Sequence, residues 1–100
     1  MDPNAEPTRE QVDALPGKTL LEFGASWCTH CKAARPLIDA GLAQHPEVRR
    51  IWIEDGKGRP LGRSFAVKLW PTLIVLERGQ EVRRAVRPQS ATQVQELLGR

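Results

Sequence analysis

The stretch Thr19-Leu20-Leu21-Glu22-Phe23-Gly24-Ala25-Ser26-Trp27-Cys28-Thr29-His30-Cys31 decides how this chain is read. Residues 19–24 form an apolar run that predicts a strand buried on both faces, and it delivers the only two cysteines of the sequence, three apart. Over residues 28–44 the pattern turns helical: Cys31, Ala34, Ile38 and Leu42 fall on an i, i+3/i+4 stripe, with Leu37 beside it. A strand that hands two cysteines to the first turn of a helix sets the first sulfur at the positive end of the helix dipole, which favours a thiolate. Two thiols at this spacing close a small ring when oxidised and open it when reduced. The segment reads as a redox device.

The rest of the chain frames it. Thr8 with Gln11 makes a capping-box pair that predicts a short helix over residues 9–15, ended by Pro16-Gly17. Pro36 lies inside the long helix, where its missing N–H predicts a kink between Lys32 and Pro36. A second apolar run, residues 48–53, precedes the turn Glu54-Asp55-Gly56-Lys57-Gly58, and residues 60–67 read as a short helix. Residues 72–76 and 81–86 read as strands joined at Arg78-Gly79, and Ser90 with Gln93 caps a last helix that turns Val94, Leu97 and Leu98 inward before Gly99. The order is α, β-α-β, α, β-β, α. A helical crossover makes the first two strands parallel and a tight turn makes the last two antiparallel. An α/β fold follows: a mixed four-stranded sheet, two parallel strands plus an antiparallel hairpin, with helices on both faces.

One hundred residues suffice for one small domain, residues 1–100, in which residues 1–17 are an N-terminal extension carrying the short helix. At 40% hydrophobic and 27% charged residues the composition is that of an ordinary globular protein, without low-complexity tracts or repeats. No run approaches the ~20 apolar residues of a membrane span. Residues 1–9 are acidic and polar, unlike a signal peptide, so a cytoplasmic location is expected. Charge is uneven: up to Val48 there are 4 basic and 7 acidic residues, and beyond it 11 and 5. The arginines are scattered and lack interleaved aromatics, which argues against nucleic acid and for a solvated surface or a preference for acidic protein partners. A zinc site needs about four ligands, and two cysteines with His30 and His45 form no second paired cluster. His45 is expected to be exposed at a helix end.

The chain resembles the thioredoxin superfamily from Lys18 to its end. Four landmarks carry the resemblance in order: Trp27-Cys28-Thr29-His30-Cys31 after the first strand, Pro36 within the following helix, Pro71-Thr72 opening the third strand, and the terminal amphipathic helix. It implies a thioredoxin-like fold and a thiol–disulfide oxidoreductase that exchanges disulfides with protein substrates through a Cys28–Cys31 redox pair. A recycling reductase or oxidase is implied as partner, with no metal, flavin or nucleotide of its own, and a monomer is expected. A thioredoxin-like binding or chaperone module without turnover is the alternative.

Within that frame Cys28, at the helix start, is the attacking thiolate, expected to be exposed. Cys31, one turn in, is the buried thiol that resolves the mixed disulfide. Thr29-His30 fills the variable dipeptide, where a His resembles the more oxidising members and ordinary thioredoxins carry Gly-Pro. An imidazolium beside the thiolate stabilises the reduced form, whereas a solvated spacer has little effect. Glu22 aligns with the buried aspartate that helps move the proton of the resolving thiol, and Arg50 with the lysine beside that aspartate. Pro71 resembles the cis-proline that lies against the disulfide and excludes metal. Trp70 stands where a smaller residue is usual, at the position whose backbone pairs with substrate, with Thr72 following in the same groove. Arg87 stands where a glycine is expected, and these two bulky residues narrow the groove or select substrates. Trp27 is read as a packing partner of the active-site loop.

Overall fold

The computed structural model describes residues 6–99. Eight elements follow one another: α1 (Arg9–Asp13), β1 (Lys18–Gly24), α2 (Thr29–Leu42), β2 (Arg49–Glu54), α3 (Pro60–Ser64), β3 (Thr72–Glu77), β4 (Gln80–Val86) and α4 (Ala91–Leu98). The sheet order is β2-β1-β3-β4. β1 runs parallel to β2 and antiparallel to β3, and β3 pairs antiparallel with β4. This is the thioredoxin-like α/β fold expected from the sequence.

The central place of β1 explains its unbroken apolar run. Successive side chains of a strand point to opposite faces. Leu20 therefore enters a core with Ala34 and Ile38 of α2 and Val94 and Leu98 of α4, while Leu21 and Phe23 enter a second core with Val12 of α1 and Leu61 beside Phe65. Glu22 and Gly24 share the face of Leu20, beneath α2. No helix among the described residues is long and apolar enough to cross a membrane.

The departures from the predicted elements lie at their ends. α1 stops at Asp13 as its bonds tighten from i−4 to i−3: the Ala14 N–H is shared between the Glu10 and Gln11 carbonyls and the Leu15 N–H turns to the Val12 carbonyl at 3.1 Å. α3 stops at Ser64: Ala66 turns left-handed at φ 56°, and the Val67 N–H folds back to the Gly62 carbonyl at 2.9 Å. Arg78 and Gly79, at φ 53° and 80°, make the tight turn of the β3–β4 hairpin, where β3 ends one residue later and β4 begins one residue earlier than predicted. α2 continues through Pro36, starting at Thr29 and ending at Leu42. Ser90 caps α4 by accepting from the Gln93 N–H at 3.1 Å, while the Gln93 side chain accepts from the Gln89 N–H at 2.6 Å.

Candidate active site

The parallel strands β1 and β2 end side by side, and the loop leaving β1 turns directly into α2. Cys28 is the N-cap of that helix, in extended backbone conformation, and its Sγ accepts from the Cys31 N–H at 3.4 Å. A sulfur thus takes the place usually filled by a Ser, Thr or Asp oxygen. Cys28 is 7% exposed and Cys31 3%. The expectation of an exposed Cys28 is corrected: both cysteines are covered, with Trp70 packed against their cluster.

Their acidities diverge. Burial opposes charge on Cys28, but the Cys31 thiol and N–H, the His30 N–H and the nearby Arg87 charge outweigh it and hold this thiol below its ordinary value. Burial pushes the Cys31 thiol up to about 11, and both the hydrogen-bonded Cys28 and the Glu54 carboxylate push the same way. One thiol is primed to ionise and its neighbour is kept protonated.

Beneath Cys31 the backbone must be glycine. A Cβ on Gly24 would lie 2.6 Å from Cys31 Sγ and 2.7 Å from the Trp52 indole, so the sulfur and the ring tip close together over the bare backbone. Glu54 organises the same end of the sheet. Its carboxylate accepts from the Ser26 N–H at 3.0 Å and from Trp52 Nε1 at 3.2 Å, tying the loop before Cys28 to the ring beside Cys31.

Glu22 is buried, 3% exposed, and it is paired. Arg50 Nε donates to Glu22 Oε2 at 2.5 Å and Nη2 to Oε1 at 3.1 Å, while Nη1 reaches Asp39 Oδ1 on α2 at 2.6 Å. These contacts raise the already high basicity of Arg50 further. The edge-facing, solvated alternative for Glu22 is excluded. Its expected partner is the one it has.

Across from Cys28, the Trp70–Pro71 peptide is cis. Thr72 is buried and its hydroxyl donates to the Leu69 carbonyl at 2.6 Å. Trp70 Nε1 donates to Asp55 Oδ2 at 2.9 Å, and its ring meets Trp27 edge-on at 5.6 Å. Trp27 itself is 70% exposed, a surface ring leaning on Trp70. Arg87 adopts φ 52°, the left-handed region for which a glycine is expected. Its N–H donates to the Pro71 carbonyl and its Nε to the Trp70 carbonyl, each at 2.9 Å. Thr29 and His30 occupy the exposed first turn of α2. His45 is half-buried, with Nδ1 3.4 Å from Glu47, which corrects its expected exposure. Among the described residues no group of three or more His, Cys, Asp or Glu side chains is placed to hold a metal.

Glu54, Asp55 and Trp52 are the site residues that sequence reasoning passes over. The first two read as part of the Gly-rich turn that follows β2. One signal was present: parallel neighbouring strands end on the same side, so the residues closing β2 must lie beside those closing β1.

Residues 4–100 match the family model described as Thioredoxin. The thioredoxin of Chlamydia trachomatis serovar D is 37% identical over 71 residues, 70% of this chain and 69% of that one. The structure of thioredoxin 2 from Pseudomonas aeruginosa PAO1 in its reduced form is similar with a TM-score of 0.83 at 51% identity, covering 94% of this chain and 91% of that one. Trxlp from Edwardsiella tarda EIB202 is similar with a TM-score of 0.78 at 27% identity, covering 91% of this chain and 90% of that one.

Proposed function

The chain belongs to the thioredoxin family of thiol–disulfide oxidoreductases, and from that premise we propose how its residues divide the exchange. The Cys28 thiolate attacks one sulfur of a protein disulfide, that S–S bond breaks, and the other substrate sulfur leaves as thiolate. Cys31 then gives up its proton and attacks Cys28 Sγ. The Cys28–Cys31 bond forms and the second substrate sulfur is released. Two electrons pass to the substrate, which ends as a dithiol, and a reductase partner returns them to the pair. The observation that carries this reading is the placement of two thiols one helical turn apart, Cys28 capping α2 through its sulfur and Cys31 buried behind it, with opposed acidities.

The proton of Cys31 needs an acceptor at the second step. Glu22, on the face of β1 that carries Gly24 and meets Cys31, is assigned that relay, with Arg50 holding both its oxygens. Glu22→Gln is expected to slow release of the mixed disulfide near neutral pH while sparing the first attack. Native rates for both steps would remove Glu22 from the mechanism.

Selective alkylation tests the division of labour. With its thiol pushed up to about 11, Cys31 stays protonated at pH 7. One equivalent of iodoacetamide at that pH should modify Cys28 and stop disulfide turnover. Labelling of Cys31 first, or full turnover after Cys28 is blocked, would reverse the roles or end the reading.

His30 is assigned two contributions to the thiolate: its backbone N–H, a donor to Cys28, and its imidazole in the groove. Proline deletes the first and the second, alanine only the second. His30→Pro should therefore make the pair more reducing than His30→Ala does, by roughly tenfold in the exchange equilibrium, about 30 mV. Equal potentials in all three proteins would leave His30 a spacer. We assign the whole chain to one thioredoxin-like unit, acting as a monomer in the cytoplasm, on the strength of the same kinship. Sedimentation and cell fractionation test those two assignments.

A further inference from the structure

Arg87 holds a left-handed backbone, φ 52°, where β4 leaves the sheet. A side chain there is strained and glycine is not, so the surroundings must hold the arginine in place. They do so at two points, the Pro71 and Trp70 carbonyls, each 2.9 Å from an Arg87 donor. The guanidinium is thereby fixed on the residue before Pro71, beside the thiolate it helps stabilise. Only Nε is used. Among the described residues Nη1 and Nη2 have no hydrogen-bond partner and the charge has no carboxylate. Arg9, Arg50 and Arg84 face carboxylates, whereas Arg49 and Arg83, like Arg87, donate to backbone carbonyls, and Arg87 is the one of these three beside the thiolate.

The space in front of Arg87 is open. A depression of about 520 Å³ runs from Arg87, Pro88 and Gln89 across to His30 and to Ala33 and Leu37 of α2. No acidic side chain among the described residues lines it. A fixed, unpaired guanidinium beside a nucleophilic sulfur, in a groove without carboxylates, suits an anionic group on the incoming chain.

We propose that Arg87 is a specificity-determining residue that favours protein disulfides bearing an Asp or Glu next to the attacked cysteine, the carboxylate being taken end-on by the two terminal guanidinium nitrogens. The inference rests on the exchange reading above and names the substrate class of that same site. The Arg87 contact does not block the groove, because the Trp70 carbonyl keeps a second lone pair for a substrate amide. Exposed ion pairs are weak and screened by salt, so discrimination is modest and fades as ionic strength rises.

The test uses three disulfide-bonded peptides, identical except for Glu, Gln or Lys next to one cysteine. Their reduction by the full-length protein is followed at low and high salt. The expected order in kcat/KM is Glu, then Gln, then Lys, with roughly tenfold between the extremes at low salt and much less at high salt. Arg87→Glu should invert the order and Arg87→Gln should flatten it. Either variant will also slow all three peptides together through the thiolate, and the ratio between peptides is unaffected by that common loss. Equal rates for the three peptides with the native protein, or an unchanged order in Arg87→Glu, would overturn the proposal while leaving the exchange reading intact. Absence of turnover on every peptide would instead overturn the exchange reading and this inference with it.

Discussion

Cys28→Ser is expected to lose disulfide turnover by at least about a thousandfold while keeping its fold. The two halves of that expectation come from the same geometry. The sulfur caps α2 by accepting the Cys31 N–H. A serine oxygen is among the best groups for that position, so the helix start should survive the exchange of S for O. The chemistry should not, because a hydroxyl does not ionise near neutral pH as the held-down Cys28 thiol does. Cys31→Ser makes the complementary case. Its first step should run at close to the native rate, and the protein should then accumulate as a covalent adduct with substrate through Cys28. Turnover by a coupled reductant assay and intact mass after mixing with a disulfide protein measure both. A Cys28→Ser protein with more than a small fraction of native turnover, or a Cys31→Ser protein that forms no adduct, would contradict the assigned order of attack.

How much of this was legible beforehand differs from residue to residue for physical reasons. The strand-to-helix junction around Cys28 is legible because its signals are local: an apolar run, then a helical stripe beginning at Cys31. The mixed sheet follows from connection lengths alone, since a helix between two strands forces one pairing and a tight turn the other. The Glu22–Arg50 contact joins residues 28 apart in sequence and is visible beforehand only through family resemblance. Trp52 against Gly24 was hidden more deeply. Nothing in either segment announces that an indole from β2 and a sulfur from α2 meet over the same bare backbone. Glu54 and Asp55 were masked by their neighbours, because a Gly-rich sequence reads as a turn whether or not its acids face a site. At Arg87 the resemblance pointed to glycine without saying why, and the left-handed backbone there is one that glycine adopts without strain. The use that the arginine makes of that conformation needed coordinates.

Removing Arg50 should be the most destabilising single change in the charged network. Glu22 is 3% exposed and takes two hydrogen bonds from this guanidinium. Arg50→Met leaves a buried carboxylate with no counterion. Orphaning one partner of a fully buried pair costs about 3–5 kcal/mol, and since Arg50 itself is partly open to water we expect about 2–3 kcal/mol here. For a domain of this size that is a fall in Tm of roughly 10–20 °C. Asp39→Asn, which alters only the exposed arm of the network, should change stability by less than about 1 kcal/mol. The double variant E22M/R50M should recover most of the loss, because two apolar side chains replace the pair and no charge is left buried. Thermal melts of the three variants decide these points, and an Arg50→Met protein as stable as the native one would refute the pairing. The double variant then separates structure from chemistry. If it is stable yet releases mixed disulfides slowly near pH 7, Glu22 is acting on the Cys31 proton. If it is stable and resolves them at the native rate, the ion pair serves only to seat β2 against β1 and α2, and the Cys31 proton leaves by another route.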